Sequence, residues 1–445
     1  MNITKLINEK LSSFQIIILG FAALIITGTL ILMLPVSSVS GEPAPFINAL
    51  FTSVSAVCVT GLVVVDTASY WSYFGQAVIL ILIQIGGIGV ITVALFFSII
   101  TGRKISIMQR QTIQNALSSP QMGGGVRLTR FIFIISFAVE LIGILLLLPV
   151  FVKGYGAEGI WMSVFHSVSA FCNAGFDLMG DKTGVYSSLT SFSDSLYLAV
   201  TISLLIITGG IGFITWNDVA TKKSRFKEYK MQTKVVFATT VILIVLPFLF
   251  FFFVDFSDKP LLQRISLSVF QAVTPRTAGF NTACLNEMSD AGRALIIMLM
   301  LIGGSPGSTA GGIKTTTIAI LFANIIAAFR QKENAGYFGR RTDDATVKNA
   351  SILFLLYIAL AVFASMMISL TEGLPMQSCL FEAFSAIGTV GLSLGITPGL
   401  SVFSRLILIF LMFFGRIGGM TFIYATFSHR ENIRSKYPAE SIMIG

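Results

Sequence analysis

Four times along the chain a short apolar stretch runs into a glycine, each time between two long apolar segments: FTSVSAVCVTGL (Phe51 to Leu62), FHSVSAFCNAGF (Phe165 to Phe176), FQAVTPRTAGF (Phe270 to Phe280) and FEAFSAIGTVGL (Phe381 to Leu392). The closing glycines, Gly61, Gly175, Gly279 and Gly391, are 114, 104 and 112 residues apart. A second echo follows each one: GGIGVIT from Gly86, GGIGFIT from Gly209, GGSPGST from Gly303 and GRIGGMT from Gly415, with threonine six residues on at Thr92, Thr215, Thr309 and Thr421. Two motifs in one order, four times over, mark a tandem repeat, and such a repeat restricts the fold to copies of one unit packed on each other.

The long segments set the solvent. A hydrocarbon core of about 30 Å takes about 20 helical residues. Eight segments reach that length: Phe14 to Leu34, Phe74 to Ile100, Phe131 to Val152, Leu196 to Asn217, Val235 to Val254, Ala294 to Phe329, Asn349 to Thr371 and Leu406 to Ser428. Within them only Glu140, Lys314 and Arg416 are counted as charges. With 54% hydrophobic and 11% charged residues, the 445-residue chain has too little polar material to coat soluble domains, which argues against a soluble enzyme and a disordered chain. The first segment is too long for the core of a cleaved signal peptide. The expected fold is an all-α polytopic membrane protein: four tandem helix–pore loop–helix repeats, eight transmembrane helices, around a pseudo-fourfold pore. The repeats span 14–100, 130–220, 234–330 and 348–428, followed by a tail, 429–445.

Of the 30 Lys and Arg residues, 21 lie in the N-terminus, the connections 101–130, 221–234 and 330–348, and the tail, so both termini are expected on the cytoplasmic side. The opposite connections carry Glu42, Asp66, Asp177, Asp181, Asp194, Asp255, Asp258, Glu287 and Asp290, a sign of charge that concentrates cations. No basic module with interleaved aromatics points to nucleic acid. Cys58, Cys172, Cys284 and Cys379 lack the spacing of a zinc site or a disulfide framework and read as buried free thiols.

The apolar stretches are too short to cross a bilayer and read as half-helices dipping in from outside. Irregular backbone at that depth persists only where it is buried in protein or lines a cavity. Four glycine turns about one axis would line such a cavity. Glycine reaches positive φ without a Cβ penalty, so the chain can turn carbonyl oxygens inward to replace the water of a dehydrated cation. Half-helix C-termini add partial negative charge. The expected ligands are main-chain oxygens of Val59, Thr60 and Gly61; Asn173, Ala174 and Gly175; Thr277, Ala278 and Gly279; and Thr389, Val390 and Gly391, with side chains of Thr60, Asn173, Thr277 and Thr389 helping to line the ring.

VCVTGL, CNAGF, RTAGF and GTVGL, each between two helices, resemble the filter-bearing units of the Trk/Ktr/HKT potassium transporter superfamily. GGSPGSTAGGIKTTT and GRIGG draw the resemblance toward the membrane subunits of bacterial Ktr systems, over nearly the whole chain. The resemblance implies channel-like uptake of potassium, the transported substrate, across the bacterial plasma membrane, with sodium dependence left open. Glycine at all four filter positions goes with potassium preference; serine at the first goes with sodium transport in plant relatives, and here it is Gly61. It also implies a homodimer with one pore per protomer, seated on a cytoplasmic nucleotide-binding regulatory ring (KtrA-like), with no nucleotide bound by this chain.

From Ala291 to Arg330 no strong polar stop interrupts forty residues, which as one helix would reach about 60 Å. A break is expected across Gly303, Gly304, Ser305, Pro306, Gly307, Ser308, Thr309, Ala310, Gly311 and Gly312, where proline and clustered glycines oppose helix. GSTAGGIKT misses a phosphate-binding loop by one residue and follows no strand. By resemblance the stretch is the intramembrane gate. Arg416, in mid-span, costs at least ~2.5 kcal/mol unless it faces a cavity or a partner; its family equivalent points into the pore below the filter and contacts the loop. Lys314 reads either as a second gate cation or as a snorkelling residue. Glu140 is expected to pair between helices without a transport role, and Glu382 to be structural. The pairs Gly86–Gly87 and Gly209–Gly210 read as packing or hinge sites. KKSRFKEYK, from Lys222 to Lys230, reads as a solvated or lipid-facing loop, or as a docking site for the ring. The rival function is a secondary porter of a small solute with a broken-helix site; an intramembrane enzyme lacks a nucleophile and base pair.

Overall fold

The computed structural model describes residues 12–100 and 125–426. The N-terminal arm with Lys5 and Lys10, most of the connection 101–130, the last two residues of the eighth expected span and the tail 429–445 lie outside the described residues.

Among the described residues each repeat contributes four helices of more than two turns. The first has α1 (Ser13–Leu32), α2 (Phe46–Val57), α3 (Tyr73–Ile88) and α4 (Val90–Ile100). The second has α5 (Gly125–Tyr155), α6 (Glu158–Phe171), α7 (Leu196–Ile211) and α8 (Phe213–Lys222). The third has α9 (Met231–Phe250), α10 (Leu261–Val273), α11 (Asp290–Leu301) and α12 (Thr315–Phe329). The fourth has α13 (Asp344–Glu372), α14 (Met376–Gly388), α15 (Val402–Ile417) and α16 (Gly419–Thr426). Single-turn helices and one hairpin, Gly336–Tyr337 against Arg340–Arg341, occupy connections.

Local chemistry repeats with the architecture. The short helices α2, α10 and α14 start behind Pro45, Pro260 and Pro375, where a missing N–H costs nothing. Helices α3, α7, α11 and α15 each start at a serine cap: Ser72, Ser195, Ser289 and Ser401 accept from the backbone N–H three residues on. The phenylalanine that opens each motif, Phe51, Phe165, Phe270 or Phe381, is fully buried and anchors its short helix in a continuous core. The long first helices α1, α5, α9 and α13 expose large apolar side chains such as Ile26, Phe137, Leu246 and Leu355, as suits a lipid-facing rim.

Among the described residues four helices are long and apolar enough to cross a membrane alone: Ser13–Leu32, Gly125–Tyr155, Met231–Asp255 and Asp344–Glu372. The expected second spans of repeats one, two and four do not run straight. Each bends sharply, α3 to α4 by 93°, α7 to α8 by 90° and α15 to α16 by 94°. The bend falls at Gly89, Gly212 and Gly418, with φ of +97°, +97° and +89°, a conformation from which a right-handed helix cannot continue. In repeat three the aligned residue is Pro306, and the chain leaves helical geometry between Leu301 and Thr315.

Candidate ion pathway

The short helices α2, α6, α10 and α14 carry their C-terminal ends to one place. Beyond each end the backbone turns left-handed twice, two residues apart: Val59 and Gly61 at φ +57° and +92°, Asn173 and Gly175 at +59° and +70°, Thr277 and Gly279 at +70° and +77°, Thr389 and Gly391 at +52° and +93°. This register sorts the polar neighbours by their distance from each glycine. Val59 matches Asn173, Thr277 and Thr389, whereas Thr60 matches Ala174, Ala278 and Val390, because the left-handed site lies two residues before each glycine.

The four turns close on each other. A Cβ at Gly61 would stand 2.5 Å from Ala174 O, one at Gly175 2.7 Å from Ala278 O, and one at Gly279 2.5 Å from Val390 O. One at Gly391 would collide with Thr60 O, which completes the circle. Glycine is therefore required twice over at each place, by φ and by the neighbouring carbonyl. All eight non-glycine residues of the ring are buried.

One side of the ring opens into a cavity of about 130 Å³ bordered by Gly61, Gly175, Gly279 and Gly391 and lined by Asp66 and Asp177. Burial pushes the Asp177 carboxyl up to about 7; the Met179 amide, donating at 2.9 Å, opposes this and the charge of Asp66 adds to it. Asp255, Asp258 and Glu287 line a wider outer groove, while Asp181 and Asp290 pair with Lys182 and Arg293. Cys284 lines that groove and is exposed, against the expectation of four buried thiols; it follows the third ring segment in a loop that leaves the core.

The loops beyond the ring are tied back by buried polar side chains in three of the four repeats, Glu382 in the structural role expected of it. The second motif position, polar inside an apolar stretch, holds Thr52, His166, Gln271 and Glu382. His166 Nε2 accepts from Leu178 N at 3.4 Å, and Gln271 donates to Asn281 Oδ1 at 2.9 Å. Glu382 accepts from Ser393 Oγ, Leu394 N and Thr397 Oγ1. Arg276, directly before the third ring segment and outside the eight long segments, is also buried, and among the described residues its Nε has no partner.

On the other side of the ring lies the segment between α11 and α12. A Cβ on Gly311 would strike the Thr389 side chain, and one on Gly312 would stand 3.0 Å from Gly388 O, so the segment sits directly against the fourth ring unit. Its anchors are carbonyls left unpaired where the bent helices stop. Ser305 N donates to Gly210 O at 2.9 Å, Thr309 N to Gly209 O at 3.3 Å and Gly312 N to Gly415 O at 3.3 Å. In return Phe213 N donates to Gly307 O at 2.8 Å, and Thr309 Oγ1 reaches Phe171 O at 3.1 Å. Gly303 N closes the base of the segment on Ile313 O, and Ser305 and Thr315 join hydroxyls at 3.1 Å.

Arg416 fastens this segment to repeat one. Its guanidinium donates to Thr309 O, to Gly86 O and, at 3.0 Å, to Gly87 O, the last two being orphan carbonyls at the end of α3. Lys314 curls back on its own segment, with Nζ 2.7 Å from Ala310 O. Both cations line a cavity of about 340 Å³ on the far side, together with Pro306, Gly307 and Ser308. Glu140 accepts from Gln84 of α3 at 2.8 Å, an interhelical pair away from the ring. In the basic connection Asp218 accepts from Lys230 N and Thr233 Oγ1 and pairs with Lys222.

A family model described as cation transport protein, TrkH, matches residues 9–433. The chain is 42% identical to the potassium/sodium uptake protein NtpJ of Enterococcus hirae, over 99% of both chains. It is 39% identical to the Ktr system potassium uptake protein B of Bacillus subtilis, over 97% of this chain and 96% of that one. Among solved structures it is similar to the potassium transporter TrkH of Vibrio parahaemolyticus, with a TM-score of 0.72 at 18% identity, covering 92% of this chain and 83% of that one. That last likeness concerns the fold.

Proposed function

Because the chain belongs to the TrkH family of cation transport proteins, we propose that it is a channel-like potassium uptake protein of the bacterial plasma membrane, with Gly61, Gly175, Gly279 and Gly391 as its filter and the segment Gly303 to Gly312 as its gate. The observation that carries this reading is the closed circle in which each glycine abuts the carbonyl before the next one. Cations gather in the acidic mouth and exchange water for main-chain oxygens at the ring. Below it they meet the segment that Arg416 ties across the path, beside Lys314. The positive charge of Arg416 there opposes a cation until the segment moves.

The names of the two similar proteins, one for potassium and sodium uptake and one for a Ktr system, support potassium as cargo and a multi-part assembly. The assembly we infer is a homodimer on a cytoplasmic nucleotide-binding ring, with both termini of this chain on the same side as that ring. Expression in cells lacking their own potassium uptake tests the cargo. The chain should restore growth at limiting potassium and take up rubidium. Uptake of organic solutes with no rubidium flux would instead favour a porter.

The mouth adds a pH dependence. Burial raises the Asp177 carboxyl to about 7, so external acid is expected to remove negative charge from the entrance. The half-saturating rubidium concentration should rise about threefold between external pH 8 and 6. Asp177→Asn should hold the acid value at both.

A further inference from the structure

Behind the ring stands a hydroxyl in every repeat, at one motif position: Ser55, Ser169, Thr274 and Ser385, each four residues after the buried phenylalanine and each fully buried. Their main-chain carbonyls already hold the ring, accepting from Thr60 N, Ala174 N and Val390 N at 2.8 Å and from Ala278 N at 3.0 Å. The hydroxyls add a second hold, and they do so in two ways. Ser55 Oγ accepts from Gly61 N at 3.1 Å and Ser385 Oγ from Gly391 N at 3.1 Å. Ser169 Oγ instead donates to Phe176 O at 2.8 Å, and Thr274 Oγ1 donates to Phe280 O.

The same division appears in backbone and sequence. Gly61 and Gly391 share φ near +92° and are followed by leucine; Gly175 and Gly279 have φ of +70° and +77° and are followed by phenylalanine. A planar trans peptide points its N–H and C=O in opposite directions. Pulling Gly61 N–H outward therefore turns Thr60 O inward, and pulling Gly391 N–H outward does the same for Val390 O. In the other two units the carbonyl beyond the glycine is itself drawn back to the short helix.

We propose that Ser55, Ser169, Thr274 and Ser385 are positioning residues that set ion discrimination, two by aiming a ring carbonyl and two by withdrawing the next one, so that the ring works as two pairs rather than four equal quarters. The proposal rests on reading the glycine ring as the filter.

Sodium competition against rubidium uptake, in the same potassium-uptake-deficient cells, tests it. Ser55→Ala, Ser169→Ala, Thr274→Ala and Ser385→Ala should each lower the rubidium-to-sodium preference about tenfold, the loss of one buried hydrogen bond. Ser55→Thr and Thr274→Ser, which keep the hydroxyl, should hold the parental ratio. Where alanine prevents membrane insertion, cysteine, of similar volume and a weak hydrogen-bonding group, is measured instead. Alanine or cysteine variants that insert normally and keep the parental ratio overturn the proposal, even if total uptake falls, because a purely structural loss lowers abundance without moving a ratio. Gly61→Ser is run in parallel. A changed ratio there with unchanged hydroxyl variants rejects the braces and leaves the filter standing; no change in either rejects the filter.

Discussion

Serine at position 61 is expected to lower the preference for potassium over sodium by about tenfold or more, the scale of one to a few kcal/mol of local strain. Two costs combine. The residue must hold φ near +92°, and its Cβ must find room where Ala174 O stands 2.5 Å away. Because Gly391 in turn abuts Thr60 O, the displacement passes to both neighbours and the ring loosens as a unit. A wider, less regular set of oxygens dehydrates potassium less well, so the larger ion loses its advantage. The measurement is the ratio of rubidium to sodium flux at matched abundance, and an unchanged ratio rejects the filter reading.

The second large effect is expected below the ring. Arg416→Gln removes a charge and the cross-tie from Thr309 O to Gly86 O and Gly87 O. Hydrogen bonds to a charged group are worth about 1.5–3 kcal/mol each, so unstimulated flux should rise at least about tenfold. Deleting Gly307 to Gly311 removes the obstruction itself and should raise flux without altering the ion preference. Flux from the full-length protein in liposomes distinguishes the cases. Unaltered flux in both variants removes the gating role, and a change in ion preference in the deletion would mean that the segment belongs to the filter.

Much of this architecture was legible because the repeat preserves register. Identical spacing from Phe51, Phe165 and Phe381, and a one-residue-shorter version from Phe270, marked four equivalent glycines. Their convergence follows once the units pack about one axis. The interruption after Leu301 was visible in Pro306 and its flanking glycines.

The right-angle bends were not read, because hydropathy records how apolar a stretch is and not which way it travels. Val90 to Phe96 is as apolar as the helix before it. The signal was nonetheless present: Gly89, Gly212 and Gly418 share a motif position that holds Pro306 in the third unit. The glycines at the head of this motif serve the close packing expected of Gly86–Gly87 and Gly209–Gly210. Gly86, Gly209 and Gly415 admit the ends of α2, α6 and α14 closely, as Val57 O, Phe171 O and Ile387 O against their missing side chains show. The carbonyls of Gly86, Gly87, Gly209, Gly210 and Gly415, released where the helices stop, then hold Arg416 and the central segment. Hydrogen-bond supply at a helix end depends on where the helix ends, which apolar periodicity does not encode.

One polypeptide supplies every quarter of the ring, and this has a genetic consequence. In an assembly of four identical chains a single codon change is copied around the whole circumference, and mixed expression yields a graded series of hybrids. Here each codon governs one quadrant only. Quadrants can diverge separately under selection, and a harmful allele cannot be diluted within a ring by a healthy copy made beside it.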